Sequence, residues 1–96
     1  MNTTEQYTAK VEAHLKPIDA EIAKLKVEAL ERGDDAESKV SETIDTLETK
    51  RQELADGLSK LKSSSEDAWK DLRSGVESAF DEIRNGFEKA RAKLAA

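Results

Sequence analysis

Apolar residues in the first third of the chain fall at Val11, Leu15, Ile18, Ile22, Leu25 and Ala29. Steps of 4, 3, 4, 3 and 4 keep these side chains on one face of an α-helix and define a heptad stripe. Thr3 and Gln6 have capping-box spacing, which starts the helix near Thr4. Pro17 has no N–H to donate and crowds the preceding turn, so it predicts a kink. The stripe keeps its phase across Pro17, which argues against a new helix starting there. After Gly33-Asp34-Asp35 the stripe resumes at Val40, Ile44, Leu47, Leu54, Leu58 and Leu61, with Arg51 at one seam position. Gly33 leaves two geometries open. It has the composition of a turn, yet Leu25 to Ala36 and Ala29 to Val40 are both 11 residues, three helical turns, so an unbroken helix would hold the same face. Ser63-Ser64-Ser65 marks a second break, and Ser63 with Glu66 predicts a capping box opening the last helix.

From Leu61 the period changes. LKSSSEDAWKD, LRSGVESAFDE and IRNGFEKARAK align without a gap over residues 61–93, followed by Leu94. Leu61, Leu72 and Ile83 share the first position, Ser64, Gly75 and Gly86 the fourth, Ala68, Ala79 and Ala90 the eighth, and Trp69, Phe80 and Arg91 the ninth. An 11-residue repeat gives about 3.67 residues per turn and a straight or weakly right-handed seam. Its apolar face is sorted by size. Trp69, Leu72, Val76, Phe80, Ile83 and Phe87 fill the centre and one side, while Gly75, Ala79 and Gly86 lie in a small-residue stripe suited to close approach by another helix. Together with Leu61 these residues form the expected packing or oligomer interface.

The fold class that follows is all-α: long amphipathic helices, about 4–32, 36–62 and 66–94, in one antiparallel coiled-coil domain, with the first two joined if Gly33 does not break the helix. Composition agrees, since 39% of the 96 residues are charged and there is one Pro. Only 22 large apolar side chains are present, the remaining 13 apolar residues being Ala. So thin a core predicts completion by self-association, as a dimer or tetramer.

The same arithmetic narrows function. Without Cys and with one histidine, His14, the chain offers no thiolate chemistry or imidazole-rich ligand set, and no cofactor or metal site is expected. A net charge of -5 gives no positive field for nucleic acid. The N-terminus lacks a basic region followed by an apolar run, and no apolar stretch is long enough to span a bilayer, so a soluble cytoplasmic protein is expected. Carboxylates are numerous, but many precede a base by four residues, as in Glu12 to Lys16, Glu28 to Arg32, Asp35 to Lys39, Asp56 to Lys60 and Glu66 to Lys70. Such spacing supports an exposed helix rather than catalysis.

The segment SSSEDAWKDLRSGVESAFDEIRNGFEKA, led by TLETKRQELADGLSKLK, resembles small uncharacterised coiled-coil proteins of bacteria and cyanobacteria, some of them labelled stress-response proteins. They are distantly similar to apolipoprotein-like and late-embryogenesis-abundant helical repeats. The resemblance covers most of residues 40–92, with Glu66 to Trp69, Gly75 and Ala79-Phe80 as its most specific part; Gly33 departs from the family pattern. It implies a helical repeat protein linked to stress response and carries no catalytic motif. The expectation is a non-enzymatic, self-associating structural or interaction protein that also docks other helical proteins. The alternative is an amphipathic helix protein that binds lipid surfaces reversibly. Against lipid, one flank of the 11-residue repeat is basic (Lys62, Arg73, Arg84) while the other carries Asp71, Glu82 and Lys93.

Overall fold

A computed structural model describes residues 3–95, which form three helices: α1 (Thr3–Arg32), α2 (Asp34–Lys62) and α3 (Glu66–Ala95). Each helix has 29 or 30 residues, a length of about 45 Å at 1.5 Å per residue. The molecule measures 48 × 19 × 16 Å, one helix long and two helices wide. α2 packs against both neighbours, and α1 meets α3 more sparsely along the third side.

Gly33 settles the first break. It sits at φ 103° and ψ 179° between two helices, a backbone region essentially confined to glycine. Its N–H donates to the Leu30 carbonyl at 3.3 Å, and its own carbonyl accepts from the Glu37 N–H at 3.1 Å. One residue thus closes α1 and opens α2, and the unbroken helix of residues 4–62 is not formed. The same glycine lets the 11-residue phase serve a hairpin, turning the Leu25–Ala29 face of α1 onto the Val40–Ile44 face of α2. Pro17 does not interrupt α1, which runs through it.

The second break falls where the serines are, but not through the expected cap. The Ser63 hydroxyl donates back to the Ser59 and Lys60 carbonyls at 3.3 and 3.4 Å, and Ser64 donates to Leu61 O at 2.9 Å. These serines satisfy the last carbonyls of α2 instead of the first amides of α3. Ser63 is therefore no partner for Glu66 in a capping box.

The core is a single seam fed by all three helices. Val11, Ile18, Ile22, Leu25 and Ala29 from α1 meet Val40, Ile44, Leu47, Leu54, Leu58 and Leu61 from α2 and Val76, Ala79, Ile83, Ala90 and Leu94 from α3. Leu47, Leu54, Leu61, Val11, Val40 and Val76 are fully enclosed. The apolar residues that looked too few for long helices are enough once two tight turns stack those helices side by side. Self-association is not needed to cover this seam.

Candidate interaction surface

The residues with chemistry to offer lie along the helix junctions and on the outer faces. At one end, α1 supplies Tyr7 and α3 supplies Trp69 and Arg73. The two rings meet edge to face at 5.9 Å, and the Arg73 guanidinium lies 4.9 Å from the Tyr7 centroid and 5.0 Å from that of Trp69. Arg73 is held by Glu77 at 2.9 Å, one turn along α3. Tyr7 Oη and Trp69 Nε1 are covered and have no hydrogen-bond partner. Burial raises the Tyr7 phenol above its ordinary value, with Glu77 acting the same way and Arg73 opposing both. Two to three helical turns further along the α1–α3 side, the His14 ring stands edge-on to Phe80 at 5.4 Å. His14, too solitary in the sequence for a ligand set, forms part of the wall of an open groove shared with Ile83 and Phe87.

Charge ties each pair of helices. Arg51, the polar intruder in the leucine seam, forks onto Asp19 of α1, with Nε to Oδ1 at 2.7 Å and Nη2 to Oδ2 at 2.9 Å. Lys26 meets Glu48 at 2.7 Å, Lys62 meets Glu12, Lys50 meets Glu82 at 2.6 Å, and Arg91 meets Glu21 at 2.8 Å. Lys93 donates to Thr43 Oγ1 at 2.9 Å, and Arg32 caps the Leu94 carbonyl near the end of α3. Hydrogen bonds to Glu82, and secondarily to Glu53, hold the Lys50 ammonium above its ordinary value. None of the five expected acid-to-base pairs one turn apart forms an ion pair among the described residues. Glu12 reaches Lys62 instead of Lys16, and Arg32 reaches the Leu94 carbonyl instead of Glu28, because long side chains at a helix junction find a neighbouring helix as readily as the next turn. The ion pairs are largely exposed and individually weak, and the Lys93 and Arg32 hydrogen bonds are partly buried; together they select which faces meet.

Of the residues expected at a packing interface, Leu61, Val76, Ala79, Ile83 and Gly86 are buried, and Trp69, Leu72, Phe80 and Phe87 pack partly buried against the core. They line the chain's own seam, so α1 and α2 already cover much of this surface. Gly86 makes the expected close approach: a Cβ there would lie 2.6 Å from Leu47 Cδ2. Gly75 does not. It is exposed, with nothing within 4 Å of the Cβ position.

The small-residue stripe fails at Gly75 because 11 residues overshoot three turns of an ordinary helix by about 20°. Along α3 the fourth and eighth positions therefore roll inward, from exposed Gly75 to buried Gly86 and from exposed Ala68 to buried Ala79 and Ala90. The ninth rolls outward, from half-buried Trp69 and Phe80 to exposed Arg91. A second close approach escaped the sequence reading. A Cβ on Gly57 of α2 would lie 2.9 Å from Val76 Cγ2, and nothing in the spacing of α2 singles that glycine out.

Among the described residues no cluster of three or more His, Cys, Asp or Glu converges, and no helix is long and apolar enough to cross a membrane. Comparison of the chain with protein-family models, curated proteins and solved structures finds no match.

Proposed function

We propose that this chain is a non-enzymatic structural and interaction protein, a preformed helical bundle that self-associates and docks helical partner proteins through its outer faces, in keeping with the stress-response proteins it resembles. The observation that carries this reading is the use of its side chains. The apolar stripes of all three helices close on one another, and carboxylates that could have served acid-base chemistry are spent on links between helices, as with Asp19, Glu21, Glu48 and Glu82. What is left to present is rigid helix surface.

The alternative, reversible binding to a lipid surface, draws on the aromatic face of α3. In the bundle that face is turned inward, with Trp69, Phe80 and Phe87 packed against the core. Lipid would have to open the α1–α3 side to reach it. Circular dichroism and gel filtration with and without anionic vesicles separate the readings. The proposal expects full helicity in buffer and unchanged elution with vesicles. A largely unfolded chain that gains helix on vesicles would overturn it in favour of the lipid reading.

A further inference from the structure

Among the described residues, two large apolar side chains stand exposed: Val27, 53% accessible, and Leu30, 64%, one turn apart near the end of α1. They are not isolated. Continued towards the N-terminus in steps of 3 and 4, their row runs through Ala23, Ala20, Lys16, Ala13 and Ala9, all exposed. This row trails the buried stripe by two residues, about 200° around the helix, so it lies on the side of α1 facing away from the bundle. The equivalent rows are polar elsewhere but for Ala92: Ser38, Glu42, Asp45, Thr49, Gln52 and Asp56 on α2, and Ser74, Ser78, Asp81, Asn85 and Glu88 on α3. α1 alone is apolar on both sides, the pattern of a helix with a further helix to meet.

We propose that this outer face of α1 binds the same face of a second copy, antiparallel about a two-fold axis. The proposal rests on the self-association reading above and names its surface. Charge complementarity supplies the register. With Ala20 of one copy facing Ala23 of the other, Ala13 meets Leu30 and the Lys16 stem covers Val27, so the two large side chains each meet a small or flexible one and the central layers are alanine on alanine. In that register Lys10 faces Glu31 of the second copy, and Asp19 faces its Lys26, each pair occurring twice by symmetry. Lys10 and Glu31 enter no ion pair among the described residues. Asp19 already holds Arg51 and Lys26 already holds Glu48, so the pairing joins two bridges into a row of four alternating charges. Sliding by one heptad sets Lys10 against Lys24 and Asp19 against its own copy. A parallel pair also matches flanking charges, but it forces Lys16 against Lys16 in the seam and piles Val27 and Leu30 on themselves beside alanine layers. Antiparallel pairing avoids both. One helix face is smaller than the roughly 800 Å² per partner of a standard interface, which makes the association reversible and concentration-dependent.

Sedimentation equilibrium over a series from micromolar to millimolar chain tests the surface, with wild type, Leu30→Lys, and Ala92→Lys as a control on the outer face of α3. Circular dichroism verifies that each remains folded. The expected result is a monomer–dimer equilibrium in wild type and Ala92→Lys, weakened about tenfold or more in Leu30→Lys. A dimer unaffected by Leu30→Lys would leave self-association standing and overturn this face as its site. A wild type that stays monomeric throughout would overturn both. Orientation is read by oxidation, because the chain has no cysteine of its own. Ala20→Cys chains mixed with Ala23→Cys chains are expected to cross-link to each other in preference to themselves; self-linking of either variant as the dominant product would overturn the antiparallel register.

Discussion

Two glycines at the same position of the repeat, Gly75 and Gly86, are expected to respond oppositely to one methyl group. Alanine in either interior helical site gains about 0.8–1.0 kcal/mol of helix propensity over glycine. At Gly75 nothing opposes the gain, because the added Cβ meets no atom within 4 Å. Gly75→Ala should therefore stabilise the bundle by about 1 kcal/mol, or about 4–8 °C in Tm for a domain of this size. At Gly86 the same atom would stand 2.6 Å from Leu47 Cδ2 and 3.1 Å from Leu47 Cγ. Leu47 is 1% exposed and must shift within the core to admit the methyl group, so overpacking of about 1–3 kcal/mol is set against the propensity gain. The net effect of Gly86→Ala is then between neutral and about 2 kcal/mol destabilising. Propensity is common to both variants and cancels in their difference, leaving the contact with Leu47 alone. Thermal melts followed at 222 nm at low micromolar concentration provide the measurement. Equal rises in Tm would show that Gly86 is not in close contact with α2; a fall for Gly75→Ala would show that a neighbour covers that site.

Further outcomes follow from the turn and from the aromatic end. Gly33→Ala should cost about 1–3 kcal/mol in urea titrations, because an L side chain is strained at φ 103° even with open space around it; no change in midpoint would contradict the one-residue turn. The raised Tyr7 phenol means that the folded chain holds this proton more tightly than the unfolded chain does. Its contribution is therefore intact below the ordinary tyrosine value of 10.0 and is lost as pH rises through the higher folded value. Lys50, whose charged form the fold favours, loses its contribution in the same alkaline range. Tyr7→Phe should accordingly flatten part of the alkaline fall in stability while leaving neutral-pH stability unchanged or higher, since Tyr7 Oη has no partner to lose. An alkaline profile identical to wild type would refute the assignment.

The helices were legible because the heptad spacing in α1 and α2 is a direct image of burial: Val11, Ile18, Ile22, Leu25, Leu47, Leu54 and Leu61 are all in the seam. Turn positions were legible as composition but not as mechanism. Gly33 keeps the 11-residue phase that suits both a continuous helix and a hairpin, and only its positive φ distinguishes them. Ser63 has the spacing of an N-cap, yet its hydroxyl turns to the carbonyls behind it. Gly75 and Gly86 look equivalent in the repeat, and a drift of about 20° separates them, a difference too small for a pattern drawn on a wheel to resolve. Long charged side chains were the least legible. The link from Arg51 to Asp19 or from Arg91 to Glu21 depends on which helices are neighbours, which the spacing within one helix does not encode. The outer row of α1 was hidden by its alanines, which read as helix formers until the structure placed them all on one exposed side.

The proposed function requires a bundle that is folded before it meets anything else. Native-state amide hydrogen exchange in lipid-free buffer at low micromolar concentration tests that most directly. The prediction is a common, high opening free energy for core amides drawn from all three helices, such as Leu25, Leu54, Leu61, Val76 and Ile83, with fast exchange near Gly33 and residues 63–65. Exchange of the α3 amides at the rate of a disordered chain, with protection appearing only when anionic vesicles are added, would contradict it.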